Sequence, residues 1–567
     1  MCVDSMKRFL CIITLLLLIA CTVTPDRHEE PIPPPETKKS SSEALYHYSL
    51  GVLFALEKNF DKAATEYEKA LSFDPKSPYL AVELATIYIK EGKIDKAIAI
   101  CERFLIYNPD YVDIHLLLGG LHLNLKEYDS AAREFEKVIE LDPKHLESYL
   151  YLSVIYSENK EYEKAVKVLK DLLKIDHDNL MGNYYLAKIY AEMKLYKEAE
   201  RWFKRTLAIK PEFESALIDL GLIYEVQKRN NCAIESYRKL IRLNPNRIDV
   251  RMRVGRIFLR EKKYDEAIKE FENSLKLNSS NREVRLSLGL VYLEWKKYDR
   301  AIEEFLTLLR KDPISHEARY FLASAYEEKK LYKSALKEFE KIPTESNLYG
   351  SAQIHIGIIL KKENKIDKAI GLIKEAIVKK RGDSRLYCFL ASLYQEKKLF
   401  KTAEETLKEG LQFSPQSVDL HYKLGSLYEE TDRFGESIKE MEEILKIEPE
   451  SAEALNFIGY SYADRGEKLE EAEKMIKKAL KLKPGDGYIT DSLGWVYFKQ
   501  NKTELAIEYL KKASDLLPDD PTIAEHLGDA YAKAGRVKDA LKTYKRALKL
   551  KPDNETLKKK IDELVKK

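Results

Sequence analysis

Three arginines, Arg253, Arg256 and Arg260, follow one another at intervals of three and four residues. In a helix this spacing places the three side chains on one face. Because a guanidinium binds carboxylates and phosphates through paired donors, the stripe predicts a contact with acidic groups of a partner. The alternative is that the arginines pair with Glu and Asp of neighbouring helices, since charged runs are usually solvated faces.

Aromatic residues recur on both sides of the arginine stripe. Exposed rings anchor partner peptides and can also stack on sugar rings. For any single ring, packing inside the protein is the alternative. The candidate binding residues of this type are Tyr184, Tyr185, Tyr320, Phe321, Phe389, Tyr422, Tyr460 and Trp495.

The sequence contains none of the motifs that carry common enzyme chemistry: GxSxG, HExxH, a P-loop, or GxGxxG between a strand and a helix. Its six cysteines show no CxxC spacing, and its ten histidines are scattered, which argues against a metal site. The 97 basic and 94 acidic residues nearly cancel, so nucleic acid is not expected as a partner. We therefore expect no catalytic residue, no metal and no cofactor.

A 34-residue period organises most of the chain. Small residues stand at positions 8 and 20 of each unit, an aromatic usually stands at position 11, and proline often stands near position 32. These spacings predict two helices of about a dozen residues that cross closely where the side chains are small. The prolines that mark the period are Pro75, Pro109, Pro143, Pro211, Pro245, Pro313, Pro415 and Pro449, then, after one inserted residue, Pro484, Pro518 and Pro552.

The pattern resembles the tetratricopeptide repeat (TPR). The resemblance implies an all-α fold, a right-handed α–α superhelix of fifteen helix-turn-helix repeats over residues 44–554, with a capping helix at 555–567. In proteins of this family, positions 2, 5, 6, 9, 12 and 13 of the first helix face a concave groove. The expected repeat starts are 44, 78, 112, 146, 180, 214, 248, 282, 316, 350, 384, 418, 452, 487 and 521.

The N-terminus has the features of an export signal. Lys7 and Arg8 precede an apolar stretch from Phe9 to Ala20, which is shorter than the roughly 20 residues that span a bilayer. The sequence Leu18-Ile19-Ala20-Cys21 resembles the lipobox of bacterial lipoproteins. An ordinary signal peptide with a chance cysteine, or a buried helix, is the alternative.

The lipobox resemblance implies that residues 1–20 are removed and that Cys21 becomes the acylated first residue, carrying palmitate or a similar chain. Residues 21–43 are rich in proline and predict a tether. In the lipoproteins that the chain resembles, Asp after the cysteine retains the protein in the inner membrane. Thr22 therefore favours the outer membrane, and the expected location is its periplasmic face.

Together these features predict a non-enzymatic, membrane-anchored scaffold whose groove binds proteins of a cell-envelope complex, of the pilus, secretion or polysaccharide-export type. The expected partners are then envelope proteins, and the expected contact with the membrane is through the N-terminal lipid. The alternative is a glycan-binding or regulatory arm of an enzyme system for cell-wall or polysaccharide synthesis, in which the aromatic residues would contact sugars.

Overall fold

The computed structural model describes residues 38–566, and side chains over residues 42–565. The predicted signal at 1–20, the lipidation site Cys21 and the tether up to residue 37 lie outside the described residues. The described chain divides into two compact units, one ending at Ser279 and one beginning at Ser280.

The first unit contains seven helix pairs. Its helices are α1 (Lys38–Leu56), α2 (Phe60–Phe73), α3 (Pro78–Lys90), α4 (Ile94–Leu105), α5 (Val112–Leu125), α6 (Tyr128–Leu141), α7 (Leu146–Glu158), α8 (Tyr162–Ile175), α9 (Leu180–Glu192), α10 (Tyr196–Ile209), α11 (Glu214–Val226), α12 (Asn230–Leu243), α13 (Ile248–Arg260) and α14 (Tyr264–Leu277).

The second unit contains eight helix pairs and a final helix. Its helices are α15 (Arg282–Glu294), α16 (Tyr298–Lys311), α17 (His316–Glu328), α18 (Tyr332–Phe339), α19 (Tyr349–Lys362), α20 (Ile366–Lys379), α21 (Ser384–Glu396), α22 (Phe400–Phe413), α23 (Val418–Glu430), α24 (Phe434–Ile447), α25 (Ala452–Arg465), α26 (Leu469–Leu482), α27 (Gly487–Lys499), α28 (Thr503–Leu516), α29 (Pro521–Lys533), α30 (Val537–Leu550) and α31 (Glu555–Lys566).

In each unit every odd-numbered helix packs against the even-numbered helix that follows it, and the pairs stack in chain order. Residues 38–566 contain no β-strand, so the expectation of an all-α helical-repeat fold is confirmed. Among these helices none combines the length and the apolar character needed to cross a lipid bilayer.

The close crossing within a pair depends on the small residue at position 8. At Gly221 in α11, an added Cβ would lie 2.4 Å from Cε1 of Tyr237 in α12. The ring of Tyr237 is buried, and its hydroxyl donates a hydrogen bond of 2.7 Å to Glu225 Oε1. Glycine thus leaves the space that the ring fills, as the period in the sequence predicts.

The turn between the two helices of a pair needs one residue in the left-handed region. Gly92, Gly466 and Gly535 occupy this place in the second, thirteenth and fifteenth repeats, but lysine occupies it in nine repeats. These lysines are Lys58, Lys126, Lys160, Lys194, Lys228, Lys262, Lys296, Lys330 and Lys398. A side chain with a Cβ is strained in this conformation, by about 1–2 kcal/mol per residue.

Two places depart from the expected pattern. In the ninth repeat α18 has eight residues, where about a dozen are expected, and α19 then begins at Tyr349 and not at residue 350. Pro343 explains this early end, because it lacks an N–H and disfavours helical backbone at Ile342. The first helix begins at Lys38 and not at residue 44: residues 38–43 contain no proline, and the helix extends back through them.

Candidate functional site

Four first helices of the second unit, α23, α25, α27 and α29, and the turns before α27 and α29 line an open cavity of about 480 Å³. Many lining side chains stand at positions 2, 5, 6 and 9 of their repeats, the positions expected to face the groove. We call this space the aromatic cavity. Two of the predicted binding residues, Tyr422 and Tyr460, line it, together with Phe457 and Tyr488.

The aromatic wall leaves rings and hydroxyls accessible. Tyr422 is 40% exposed and Tyr488 is 58% exposed, and the Tyr422 ring meets Phe457 edge-on at 5.9 Å. Within the described part of the chain, the hydroxyls of Tyr422, Tyr460 and Tyr488 make no hydrogen bond. Burial, with Asp464 and Asp491 adding to it, raises the pKa of Tyr460, so its hydroxyl stays protonated and can donate.

Charged residues form the rim of the aromatic cavity. Glu453 pairs with Lys483, and this contact lowers the pKa of Glu453. Asp486 caps α27, its Oδ1 accepting from the Ile489 amide at 3.0 Å, and Asp520 caps α29 in the same way. Over residues 42–565, neither aspartate uses its second oxygen, Oδ2, in a hydrogen bond. Each therefore keeps an acceptor for a bound molecule.

A buried ion pair crosses the floor of the cavity. Nδ1 of His526 lies 2.9 Å from Oδ2 of Asp491, and both side chains are about nine-tenths buried. Burial alone lowers the pKa of His526, but the hydrogen bond to Asp491 and the charges of Asp529 and Glu525 outweigh it, so the pKa is raised. The His526 ring also stacks on Trp495 at 4.1 Å.

Trp495 does not line the aromatic cavity, although the sequence predicts it as a binding residue of the groove. It is 8% exposed, stacks on Phe498 at 4.8 Å, and donates from Nε1 to Oδ1 of Asp464 at 3.1 Å. Helix α27 is buried on most of its surface, so a ring at this position is covered by its neighbours. Trp495 also packs on His526 and holds that ring in place. The expectation that Trp495 is exposed in the groove is therefore wrong.

Three other predicted aromatics of the second unit do not line the aromatic cavity. The hydroxyl of Tyr320 is 2.9 Å from Nε2 of His355, whose Nδ1 lies 2.7 Å from the buried Glu327. Phe321 stacks on Phe305 at 6.0 Å. Phe389 is half-buried, and its ring covers Gly357 of the preceding repeat.

In the first unit, Tyr184 is buried, contrary to its expected exposure. Its hydroxyl donates to Oδ2 of Asp219 in the next repeat at 2.8 Å, and its ring meets Phe213 edge-on at 5.1 Å. Tyr185 is half-buried and packs against Tyr184 with ring centres 5.6 Å apart. Tyr184 therefore joins two repeats and is not presented to a partner.

The arginine stripe is partly neutralised within the protein. Arg253 and Arg260 both donate to Glu225 of the preceding repeat, at 3.5 and 2.9 Å. Glu225 also accepts from Tyr237, so it connects three side chains. Arg256 is exposed on the same helix. For Arg253 and Arg260 the structure thus favours the alternative of pairing between repeats.

The described residues give no indication of metal or redox chemistry. Among them, no three His, Cys, Asp or Glu side chains are grouped so that they could hold a metal ion. The thiols of Cys101, Cys232 and Cys388 are separate, and burial raises the pKa of Cys101 and of Cys388 to about 12. Such thiols are protonated and poorly nucleophilic at neutral pH.

Sequence reasoning missed Asp486, Asp491, Asp520, His526 and Glu225. A signal was present for some of them. Asp491 and His526 are 35 residues apart, as are Glu225 and Arg260, and this spacing of one repeat plus one residue joins neighbouring first helices.

Comparison with known proteins shows the family. Models described as "Tetratricopeptide repeat" match residues 54–182, 218–347, 384–417, 422–487 and 492–555. The TPR repeat-containing protein PA4667 of Pseudomonas aeruginosa is 27% identical over 152 residues, which are 27% of this chain and 26% of that protein. The match thus spans about a quarter of the length of this relative.

Among solved structures, the Cut9–Hcn1 hetero-tetramer of the APC/C is 13% identical, with a TM-score of 0.37 over 92% of this chain and 97% of that one. Yeast Tom70 is 14% identical, with a TM-score of 0.38 over 75% and 95%. YrrB, described as a TPR protein with an unusual peptide-binding site, is 22% identical, with a TM-score of 0.29 over 33% and 97%. Since the family models match more than half of its residues, the chain belongs to the tetratricopeptide repeat family.

Proposed function

We propose that this protein is a non-enzymatic scaffold that is held at a bacterial membrane by a lipid on Cys21 and binds other proteins of a cell-envelope complex. Helical-repeat proteins use their extended concave surfaces for binding. The family therefore supports an interaction role in general. The anchor, the envelope location and the identity of the binding surface are the additional content of the proposal.

The aromatic cavity is the observation that carries the proposal. Protein interfaces concentrate their binding energy in a few aromatic and arginine side chains near the centre of the contact. Tyr422 and Tyr488 present such rings at a concave surface, beside hydroxyls and carboxylates that can bind a partner's backbone. A peptide or loop that fills this space would bury apolar ring surface and satisfy these polar groups at the same time.

The lipid anchor explains how a modest site would suffice. A chain tethered to the membrane meets membrane-bound partners at a raised effective concentration, which strengthens weak contacts without new ones. The sequence around Cys21 supports this part of the proposal. More than one acyl chain gives a stable anchor, because each buried CH₂ contributes about 0.8 kcal/mol.

The test is affinity purification from membranes with the wild type, Cys21→Ala and the double variant Tyr422→Ala/Tyr488→Ala. Tyr46→Ala, in the first unit, is the matched control because Tyr46 is 59% exposed and lies far from the cavity in sequence. We expect the double variant to lose partners that the control keeps. We also expect Cys21→Ala to lose palmitate labelling and membrane association.

Two results would overturn the proposal. If the wild type incorporates no labelled palmitate, the anchor is wrong. If the cavity double variant recovers the same proteins in the same amounts as Tyr46→Ala, the aromatic cavity is not the binding surface.

A further inference from the structure

We infer that the aromatic cavity selects a basic segment of its protein partner, and that a lysine or arginine side chain of that segment enters the cavity. The inference rests on the proposed function, because it names the chemistry of the partner at the same site. It follows from the charges on the rim, from the donors that are already occupied, and from the rings.

The rim carries an excess of negative charge. Four carboxylates line the cavity, those of Glu453, Asp486, Asp491 and Asp520, and two groups of opposite charge accompany them. Lys483 is paired with Glu453, and His526 is paired with Asp491. Asp486 and Asp520 therefore form no ion pair within 4 Å among the described residues, although Asp486 is near enough to Lys483 for its charge to help raise the pKa of that lysine. Two carboxylates beside a concave surface attract a cation and repel an acidic peptide.

The helix N-termini at this site do not favour an anion, although helix N-termini usually do. Three of the amide N–H groups that could bind an anion are occupied: Ile489 N–H donates to Asp486, and Thr522 and Ile523 N–H donate to Asp520. The capping carboxylates also compensate the positive end of each helix. What remains at both ends is an acceptor, Oδ2, which suits the donors of an ammonium or a guanidinium.

The aromatic wall fits the same ligand. A cation over a ring face is attracted by the quadrupole of the ring, and the aliphatic stem of lysine or arginine packs against apolar surface. Tyr422, Phe457 and Tyr488 supply such faces within the cavity. The tyrosine hydroxyls can also accept a hydrogen bond.

Asn456 adds an unsatisfied acceptor. Its side-chain oxygen Oδ1 is buried and has no hydrogen-bond partner within residues 42–565, although the residue lines the cavity. A buried oxygen without a donor costs free energy, of the order of 1–3 kcal/mol. Lysine offers three donors and arginine five, so one side chain can bind more than one acceptor of the site.

The chain offers a variant that removes the charge and keeps the fold. Asparagine caps a helix about as well as aspartate, so Asp486→Asn/Asp520→Asn removes both unpaired charges but retains the caps of α27 and α29. Asp383→Asn is the control for loss of a capping charge outside the cavity, although Asp383, unlike Asp486 and Asp520, also pairs with Arg385. Asp383 caps α21 in the same unit, accepts from the Arg385 amide at 3.2 Å, and does not line the cavity.

The experiment selects random dodecapeptides displayed on phage against the purified full-length protein, and then measures binding of the recovered peptides by fluorescence anisotropy. We expect lysine or arginine next to an aromatic or aliphatic residue, enriched over the starting library. We expect the Asp486→Asn/Asp520→Asn variant to bind these peptides at least about tenfold more weakly, since each lost contact is charge-assisted. Asp383→Asn should bind them as the wild type does.

Several results would overturn the inference. They are recovery of acidic or uncharged peptides, recovery of no peptide above background, or basic peptides whose binding the Asp486→Asn/Asp520→Asn variant does not weaken. Binding of an arrayed glycan that is lost in Tyr488→Ala would identify a sugar site in place of a peptide site. If Tyr422→Ala/Tyr488→Ala loses its membrane partners but the two-asparagine variant keeps them, the proposed function stands and the cationic ligand is wrong.

Discussion

We expect the same substitution, glycine to alanine in a helix, to have opposite effects on stability at Gly221 and at Gly371. At Gly221 the new Cβ would lie 2.4 Å from Cε1 and 2.7 Å from Cζ of Tyr237. Normal contact between carbons is about 3.5–4.0 Å, so the ring must move by about 1 Å. That movement strains the hydrogen bond from Tyr237 to Glu225, which is 2.7 Å long and also organises the arginine stripe.

The magnitude at Gly221 is a difference of two terms. Overpacking a filled core costs about 1–3 kcal/mol. Alanine in a helix regains about 1 kcal/mol relative to glycine. We therefore expect Gly221→Ala to destabilise its helix pair by up to about 2 kcal/mol, and not to stabilise it. At Gly371 the added Cβ meets no atom within 4 Å, so only the helix term remains and Gly371→Ala should stabilise by about 1 kcal/mol.

The assay is native-state hydrogen exchange followed by mass spectrometry, because repeat arrays need not unfold as one unit. Peptides from residues 214–243 report on Gly221, and peptides from residues 366–379 report on Gly371. The reasoning is refuted if Gly221→Ala increases protection as Gly371→Ala does. A second check is the double variant Gly221→Ala/Tyr237→Leu. The eleventh repeat has Ala391 and Leu407 at the same two repeat positions, so this pair of side chains fits together. The double variant should therefore be more stable than Tyr237→Leu alone.

Three further predictions concern charge and strain. The pKa of His526 is raised, so its pair with Asp491 stabilises the last repeats fully below pH about 6.5 and less as pH rises through the folded-state pKa. Amide protection in α29 should fall over that range. Asp491→Asn should weaken or reverse this dependence, because burial then lowers the pKa of His526; an unchanged dependence would contradict the assignment. Lys160→Gly should stabilise its helix pair by about 0.5–1 kcal/mol, because the φ of Lys160 is 62°; this should appear as higher amide protection in α7 and α8, and lower protection would contradict it. Glu225→Gln should lower the stability of α11–α13, measured by hydrogen exchange, by about 1–2 kcal/mol. Arg260→Ala should change it by under about 0.5 kcal/mol, because the Arg260 side chain is 57% exposed. Equal effects of the two substitutions would refute this prediction.

The groove positions were predictable from the sequence, but the state of each side chain in them was not. Tyr422 and Tyr460 line the cavity, whereas Trp495, at the same repeat position as Tyr460, is buried against His526. Position in the repeat fixes which face of the helix a residue occupies. How far the neighbouring repeat covers it depends on side chains about 30–35 residues away.

The ion pairs of the arginine stripe were likewise not predictable from the sequence. The spacing of Arg253 and Arg260 indicates a shared helix face, and this is correct for α13. Their pairing with Glu225 joins residues that are 28 and 35 positions apart, across two repeats. The arginines alone could not indicate it, because any of several acidic residues in the preceding repeat could have been the partner.

The sequence by itself determined the helical-repeat class and the family, because each 34-residue unit repeats the same small, aromatic and breaking residues and its helix pair is specified locally. It also predicts the lipid anchor, which lies outside the described residues. Only the tertiary structure decided which aromatics stay accessible, which charges are neutralised and where a cavity opens. Those properties arise where one repeat packs on the next, and there the outcome depends on the geometry of two surfaces and not on the pattern of either one.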